Sequence, residues 1–352
     1  MQLHLILPGL LWPSQVLRDT ASDLELPALS WLLGRGRLSW QPPRAPEAAL
    51  CHAFGIAADA AGGLPYAALR LLGEAPPGDA AVDDIWMCAD PVHLAIEKRR
   101  VTLAEEAPTA SAAEMDAIVA ALAPLLAELD EGCREFRAGR AGRGYLRLAR
   151  PPAIATTPPS AAAGIDAMLP QGADARRWRQ IANEAQMLLH ALPLNAQRAS
   201  RGQPPLNSLW LWGAGALPAA PQPGVGYTAA HGDDPILAGL ARWAGTPLQP
   251  TATPAELLAR RDAARPLVLL DTLRAPARQY DALRWRDALQ DVERTWLQPL
   301  RRAIGSGRLQ RLRITALGDA ASLDLELTQR DRLRFWRRPQ RLHELPAPET
   351  RP

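Results

Sequence analysis

Three strand-like runs in this chain end in residues that decide whether it can hold a cation. Leu3–Leu7 runs into Pro8-Gly9, Pro266–Leu270 ends at Asp271, and the run from Leu309 to Leu317 is followed by Gly318-Asp319. Carboxylates gathered at adjacent strand ends are what a divalent cation needs in order to clamp a phosphoryl group and activate a hydroxyl nucleophile. Proline carries no donor, so Pro8 supplies nothing, and Asp271 and Asp319 stand as isolated acids. Thr20 and Ser22 carry hydroxyls in the loop and helix region after the first strand, but an alcohol without a metal or a base is a weak nucleophile. Helix-cap and loop hydrogen-bonding roles suit them better. The six histidines show no metal-ligand spacing. His93 follows Asp90-Pro91, which reads as a turn, His190 falls on an apolar helix, and His231 precedes Gly232-Asp233-Asp234. A rearranged metal site around Asp271, Asp319, His231 and His93 is the alternative that would keep metal chemistry.

A second group of residues could bind an anion with no metal. Asn195, Arg198, Asn207, Trp210 and Trp212 lie close to the glycine turn at Gly213–Gly215, and Asn and Arg beside glycine-rich backbone can hold a carboxylate or phosphate. The structural alternative is that Trp210 and Trp212 pack on one face of a buried strand, with Leu209 and Leu211 on the other and Asn207 satisfying a turn. A third group is the tail Arg330-Asp331-Arg332-Leu333-Arg334-Phe335-Trp336-Arg337-Arg338, whose arginines could grip phosphates while its aromatics stack on bases. Its alternation of Leu333 and Phe335 with arginines fits a strand over Arg332–Trp336 with a solvated arginine face, and that reading is preferred.

The elements that must position these residues follow from periodicity. A helix is expected around Leu26–Leu33, stopped by Gly34 and Gly36, and another from Ala175 to Ala191, capped by Asp174, with Trp178, Ile181, Ala185 and Leu188 on one stripe. A long helix from Tyr280 to Ile304 carries Trp285, Leu289, Val292, Trp296 and Leu300, with a kink at Pro299. Strands are expected at Asn207–Gly215, Leu309–Leu317 and Ser322–Leu327. Between Asp83 and Arg150 the order strand, strand, helix, strand suggests a small α+β unit, followed by a Pro/Ala/Thr-rich crossing from Pro151 to Pro170. Alternation of strands and helices elsewhere predicts an α/β fold with a largely parallel sheet, so residues 1–82 and 171–345 are read as the core and 83–170 as an insertion with its linker. Ligands in such sheets bind beyond the carboxyl ends of the strands, and Pro8-Gly9, Gly213–Gly215, Asp271 and Gly318-Asp319 are expected to share that edge.

Composition narrows the class. The chain has 352 residues, 47% hydrophobic and 22% charged, which is ordinary globular usage and neither disordered nor membrane-like. Lys98 is the only lysine among 40 basic residues, a bias that fits a GC-rich bacterial genome better than selection for arginine chemistry. The net charge of +3 does not argue for nucleic acid. No run approaches the roughly 20 apolar residues of a membrane span, and the start lacks a basic signal region. Cys51, Cys88 and Cys133 form no CxxC pair and point to reduced thiols in a cytoplasmic protein without a zinc site.

Several stretches together resemble the alkaline-phosphatase superfamily, in particular the archaeal-type cofactor-independent phosphoglycerate mutases. Leu-Ile-Leu-Pro8-Gly9 resembles that family's opening strand ending in Asp-Gly. Leu26-Pro27-Ala28-Leu29-Ser30 ahead of Gly34 resembles its Thr-Pro-Asn-Leu-Asp segment, Asn207–Gly215 its Asn-containing glycine strand, and Asp271–Ala275 its Asp-x-x-x-His strand end. Ala89–Leu94, Asn183–His190 and Asn195 through Gly213 look like stretches of the RpfE-type regulatory proteins related to that group. The resemblance implies an alkaline-phosphatase-like three-layer core with a small inserted α+β domain. It also implies two metal ions, Mn or Zn, in active members. Here Pro8 and Ala275 depart from the ligand pattern, and no Asp-His pair occurs near Gly318. The expectation is therefore a degenerate scaffold with no cofactor and no catalytic residues, in which Asp271 and Asp319 are vestigial. Its role would be regulatory or binding, directed at an unidentified protein or a small anionic ligand.

Overall fold

Leu3, Leu5, Ile6 and Leu7 are apolar at successive positions, so both faces of the strand they form must be covered, as in the middle of a parallel sheet. The computed structural model describes residues 1–59, 62–75, 84–97, 100–103, 109–129, 131–159, 169–219, 221, 226–260 and 264–345. In chain order its strands begin with β1 (Gln2–Leu11), β2 (Arg37–Gln41), β3 (Ile85–Val92), β4 (Leu94–Glu97) and β5 (Arg100–Leu103). There follow β6 (Cys133–Ala138), β7 (Gly144–Leu148), β8 (Ser208–Gly215), β9 (Ala229–His231), β10 (Leu248–Gln249), β11 (Pro266–Leu269), β12 (Arg311–Gly318) and β13 (Ser322–Thr328).

Met1–Phe54, Pro223–Leu237 and Ala244–Pro352 make one compact unit, and Gly55–Gln222 with Ala238–Trp243 a second. The expected limits at 82/83 and 170/171 both fall inside the second unit. The first of these, and residues 160–168 of the expected linker, lie outside the described residues.

The first unit holds a seven-stranded sheet in the order β10-β9-β11-β1-β12-β13-β2. Its first five strands are mutually parallel, and β13 and β2 add antiparallel at one edge. β1 lies between β11 and β12 and is the most enclosed strand, with Leu5, Ile6 and Leu7 wholly buried. Pairing with β11 stops at Ile6↔Leu269, so the missing N–H of Pro8 falls where β1 keeps only β12 as a neighbour. The β12 register then shifts between Pro8 and Leu11, a bulge. Gly9 sits in it at φ +79°, and a Cβ there would meet Leu273 O at 2.5 Å. Only glycine accepts both the left-handed backbone and that close approach.

The expected long helix has three parts: α-helix Ala282–Val292, a π turn Glu293–Leu297 and α-helix Gln298–Gly305. The widened turn just ahead of Pro299 absorbs the missing donor, in place of a simple kink. It also places Glu293, which is 3% exposed, so that its two oxygens accept from Ala28 N (2.7 Å) and Leu29 N (2.9 Å). These are orphan donors of helix Pro27–Arg35, whose own N-cap residue, Leu26, provides no side-chain cap. A carboxylate there also meets the positive end of the helix dipole.

A polar chain runs through the same sheet. Thr315 Oγ1 donates to Asp324 Oδ1 (2.6 Å), so His4 Nε2 is the donor to Thr315 Oγ1 (3.0 Å) and His4 Nδ1 accepts from the Tyr227 hydroxyl (2.7 Å). Burial, with the Arg313 cation adding to it, pushes the imidazole down to about 3.

The second unit contains the antiparallel sheet β6-β7-β3-β8 and the hairpin β4-β5. Helices Ala112–Leu129 and Ala175–Ala191 bring Met115, Ile118, Leu122, Trp178, Ile181 and Leu189 into one core with Leu209 and Leu211 of β8. Asp174 precedes the second helix as expected, but its carboxylate accepts from Ala153 N and does not cap the helix.

Two further expectations are corrected. Gly213–Gly215 belongs to β8 of this antiparallel sheet, so it does not share an edge with Pro8-Gly9 and Asp271. No strand forms at Arg332–Trp336. β13 ends at Thr328, where a reciprocal Thr328–Asp331 cap closes a 3-10 turn over Gln329–Leu333. No helix among the described residues is long and apolar enough to cross a membrane.

Two outcomes are expected. Glu293→Ala lowers the unfolding free energy by about 2–3 kcal/mol, and Glu293→Gln, which keeps one acceptor oxygen, by less, in urea denaturation. His4 takes up a proton near its ordinary value of 6.5 only when unfolded, so its share of stability falls as pH drops from about 6.5 toward 3. Between pH 7 and pH 5 the parent therefore loses about 2 kcal/mol more than His4→Gln does.

Candidate functional site

The carboxyl ends of β9, β11, β1 and β12 converge on one edge of the parallel sheet, and the charged residues of the first unit gather there. Asp271 follows β11 and opens a 3-10 turn that runs into the helix Arg274–Arg278. Asp319 follows β12, and Asp234 follows β9, where its Oδ1 accepts from Ile236 N (2.8 Å) and Leu237 N (3.0 Å) at the start of the next helix. Glu47 comes from helix Pro46–Ala53.

Arg274 stands in the middle of this group. Its Nη2 is 2.6 Å from Glu47 Oε1, and its Nη1 lies 3.8 Å from Asp271 Oδ2 and 4.0 Å from Asp234 Oδ2. The Glu47 and Asp234 carboxylates are largely buried and that of Asp271 is half-exposed. Burial pushes the Asp271 carboxyl up to about 6; Arg274 opposes the shift, and Asp234 and Glu47 add to it. Asp234 is raised by burial and by Glu47. Burial works against the charge on Arg274, but Glu47, Asp271 and Asp234 outweigh it and hold the guanidinium above its usual range.

Arg278, one turn further on, is lowered by burial and by Arg274, and its field reaches both Asp271 and Asp319. Asp319 is raised by burial and drawn back by Arg278. Sequence reasoning missed Glu47, Arg274 and Arg278. The signals were a Pro-Glu helix start at Pro46-Glu47 and arginines three and seven residues after Asp271, which place both cations beyond the same strand end.

The two metal ions implied by the family resemblance do not fit these residues. Pro8 offers no donor, and Ala275 stands where the resemblance implies a histidine. The three carboxylates that do converge already surround a guanidinium, whose charge would repel a dication at the same centre. Among the described residues, no group of three or more His, Cys, Asp or Glu is arranged to hold a metal. His231 is fully buried on β9, with Nδ1 donating to Pro250 O (3.0 Å). His93 belongs to the second unit. Thr20 is buried in helix Ser14–Ala21, and Ser22 ends that helix exposed.

The five anion-binding candidates lie together in the second unit, and each has internal partners. Asn195 donates to Leu189 O and Leu206 O and accepts from Leu206 N. Arg198 is 2% exposed, pairs with Glu114 at 3.0 Å and donates to Pro204 O. Asn207 makes a reciprocal pair of bonds with the backbone of Leu94 and borders an open groove with Asn183, Gln186, Met187 and His190. Trp210 Nε1 donates to Thr157 O. Trp212 Nε1 donates to Asp90 Oδ2, a carboxylate that also takes a two-pronged bond from buried Arg70. Asp90, expected in a turn, is therefore part of a buried ionic network on β3.

A largely parallel sheet extended by an antiparallel edge, with charged residues gathered beyond the parallel strand ends, defines a mixed α/β protein. Over 68 residues the chain is 41% identical to the 2,3-bisphosphoglycerate-independent phosphoglycerate mutase of Methanothrix thermoacetophila, covering 19% of this chain and 17% of that relative. Over 64 residues it is 36% identical to the enzyme of the same name from Methanosarcina mazei, covering 18% and 16%. Both matches support homology to the archaeal-type cofactor-independent phosphoglycerate mutases over about a fifth of the chain, and both span under a fifth of the relatives' lengths. Among solved structures, the PH0037 protein from Pyrococcus horikoshii superposes with a TM-score of 0.51 at 15% identity, over 93% of this chain and 87% of that one, a likeness of fold. The cofactor-independent phosphoglycerate mutase from Thermoplasma acidophilum gives 0.49 at 19% identity, over 97% and 94%. No protein-family model matches the chain.

Arg274→Met leaves Glu47 and Asp234 buried without their cation and is expected to cost about 2–3 kcal/mol in chemical denaturation. The same change moves the Asp271 carboxyl further up from about 6, as followed by carboxyl-carbon NMR titration. Because that group is raised in the folded state, its favourable contribution is present at low pH and lost as pH rises through about 6. Asp271→Asn is accordingly at least as stable as the parent at pH 7.

Proposed function

We propose that this is a catalytically degenerate phosphoglycerate-mutase-like protein with a regulatory or binding role, of the kind that the RpfE-type resemblance implies. The observation that carries this reading is the Arg274 guanidinium lying among Glu47, Asp234 and Asp271, beyond a strand that ends in Pro8. Mutase and phosphatase chemistry of the metal-dependent type needs a cation at the strand ends to gather charge on the transferring phosphoryl group. A guanidinium at that centre supplies the acids with a fixed counter-charge and, unlike a metal ion, offers no exchangeable position for a substrate oxygen.

What the edge retains is a capacity to hold an anion. Arg278 lies beside half-exposed Asp271 and exposed Asp319, and with Asp271 protonated near its raised value the local charge becomes more positive. A small carboxylate or phosphate is the ligand class that suits such a cation.

Two measurements on the purified protein separate this reading from an active enzyme with a rearranged site. Metal analysis after exchange into manganese or zinc buffers should give far less than one ion per chain. Phosphoglycerate mutase and phosphatase assays with and without those ions should show no turnover that Asp271→Ala abolishes. Near-stoichiometric metal together with metal-dependent, Asp271-dependent turnover would establish the enzyme instead.

A further inference from the structure

The segment Arg330–Arg341 has a larger net positive charge than the chain as a whole. It holds six arginines and one aspartate, a net of +5, against +3 for the whole chain, so the other 340 residues together carry −2. Without a strand at Arg332–Trp336, its two aromatic residues are not folded onto the sheet. Phe335 is 81% exposed and Trp336 66%, and they meet edge to face with ring centroids 5.3 Å apart.

The segment is nonetheless held in place. Gln340 N donates to Ser30 O, Arg337 Nη1 to Gly36 O and Arg332 Nη1 to Gly305 O. It crosses Gly34 so closely that a Cβ there would come within 2.2 Å of Arg338 O. Arg332, Arg337 and Arg338 are exposed, whereas Arg334 also pairs with Asp331 at 2.9 Å. The residues either side of the aromatic pair, Arg334, Arg337, Arg338 and Gln340, line an open groove of about 690 Å³ together with Gly36 and Arg37.

We propose that this face binds single-stranded nucleic acid, with phosphates tracking the arginines of the groove and bases stacking on Phe335 and Trp336. Dense positive charge next to exposed, fixed aromatic rings is the pairing that such ligands require. An acidic peptide would answer the charge and leave the rings unused. A second copy of the chain would bring the same +5 against itself. The arginines hold phosphates as planar forks and are always charged, so binding should depend on salt and little on pH.

The test is fluorescence anisotropy of labelled oligothymidylate and oligouridylate on the full chain, at low and raised salt. Binding at low salt is expected, with log K falling against log salt by about 0.7 for each phosphate contacted. Phe335→Ala with Trp336→Ala should weaken it about tenfold or more at an unchanged salt slope. Arg337→Gln with Arg338→Gln should flatten the slope by about 1.4. All four side chains are exposed, and far-UV circular dichroism with thermal melts confirms that the variants fold. The proposal is overturned by no binding at low salt, or by affinity indifferent to the aromatic pair. It is also overturned if polyglutamate or anionic vesicles compete as well as unlabelled oligonucleotide, or if light scattering shows self-association lost in the aromatic variant without oligonucleotide binding.

Discussion

The first unit depends on one strand being enclosed on every side and still having to end. β1 is flanked by β11 and β12 and buried on both faces, so its last residues set what can approach the carboxyl edge of the sheet. Pro8 withholds a ladder donor, and Gly9 turns left-handed and lets Leu273 O come against its Cα. The freed Gly9 carbonyl accepts from Trp285 Nε1 at 2.7 Å, and Trp285 packs on Trp12 with centroids 4.9 Å apart. A carboxylate-bearing residue at the end of such a strand would have to reach outward toward solvent or a cation. Here the helix that follows Asp271 settles onto the strand end, and the space beside it is filled by Leu273 and Ala277.

Charges in this unit are met by other charges of the same chain. Glu293 supplies the anion that the N-terminus of helix Pro27–Arg35 would otherwise offer to a ligand, and Arg274 supplies the cation that Glu47, Asp234 and Asp271 would otherwise seek. The two substitutions are physically alike. Each sets a fixed counter-charge from the same chain against buried groups, the helix N–H donors in one case and the Glu47 and Asp234 carboxylates in the other, where loss of the counter-charge is costly. The π turn that aims Glu293 is a local irregularity required by Pro299, so one proline serves both the backbone and the cap.

Much of the scaffold was legible because it is written in periodicity. The helix Ala175–Ala191 and the strands around Asn207–Gly215 and Ser322–Leu327 are strongly patterned, and the ending of Pro266–Leu269 just before Asp271 marks the correct edge. The short strands β2, β9 and β10 have too few residues for a period to register, and their pairing is decided by the sheet they join. Arg332–Trp336 alternates as a strand should, yet no partner strand continues beyond Glu326↔Arg37, and the Thr328–Asp331 cap turns the chain first. Gly213–Gly215 misled for a related reason: a glycine after an apolar run marks a strand end, but not the sheet to which the strand belongs.

Side-chain chemistry was harder to read than backbone structure, because residue type does not reveal whether a polar group is already occupied. Asn195, Arg198, Asn207 and Trp212 have the right chemistry for a ligand, but they bond to carbonyls, amides and carboxylates within their own unit. These are the partners a buried polar group needs in any folded protein. Arg278 and the arginines flanking Phe335-Trp336 differ in the direction that matters. The first lies in the field of Asp271, whose carboxyl is raised to about 6, and of Asp319, and Arg337 and Arg338 are exposed. Residue type alone therefore does not separate a side chain that serves the fold from one that is open to a ligand; the partners it has already found do.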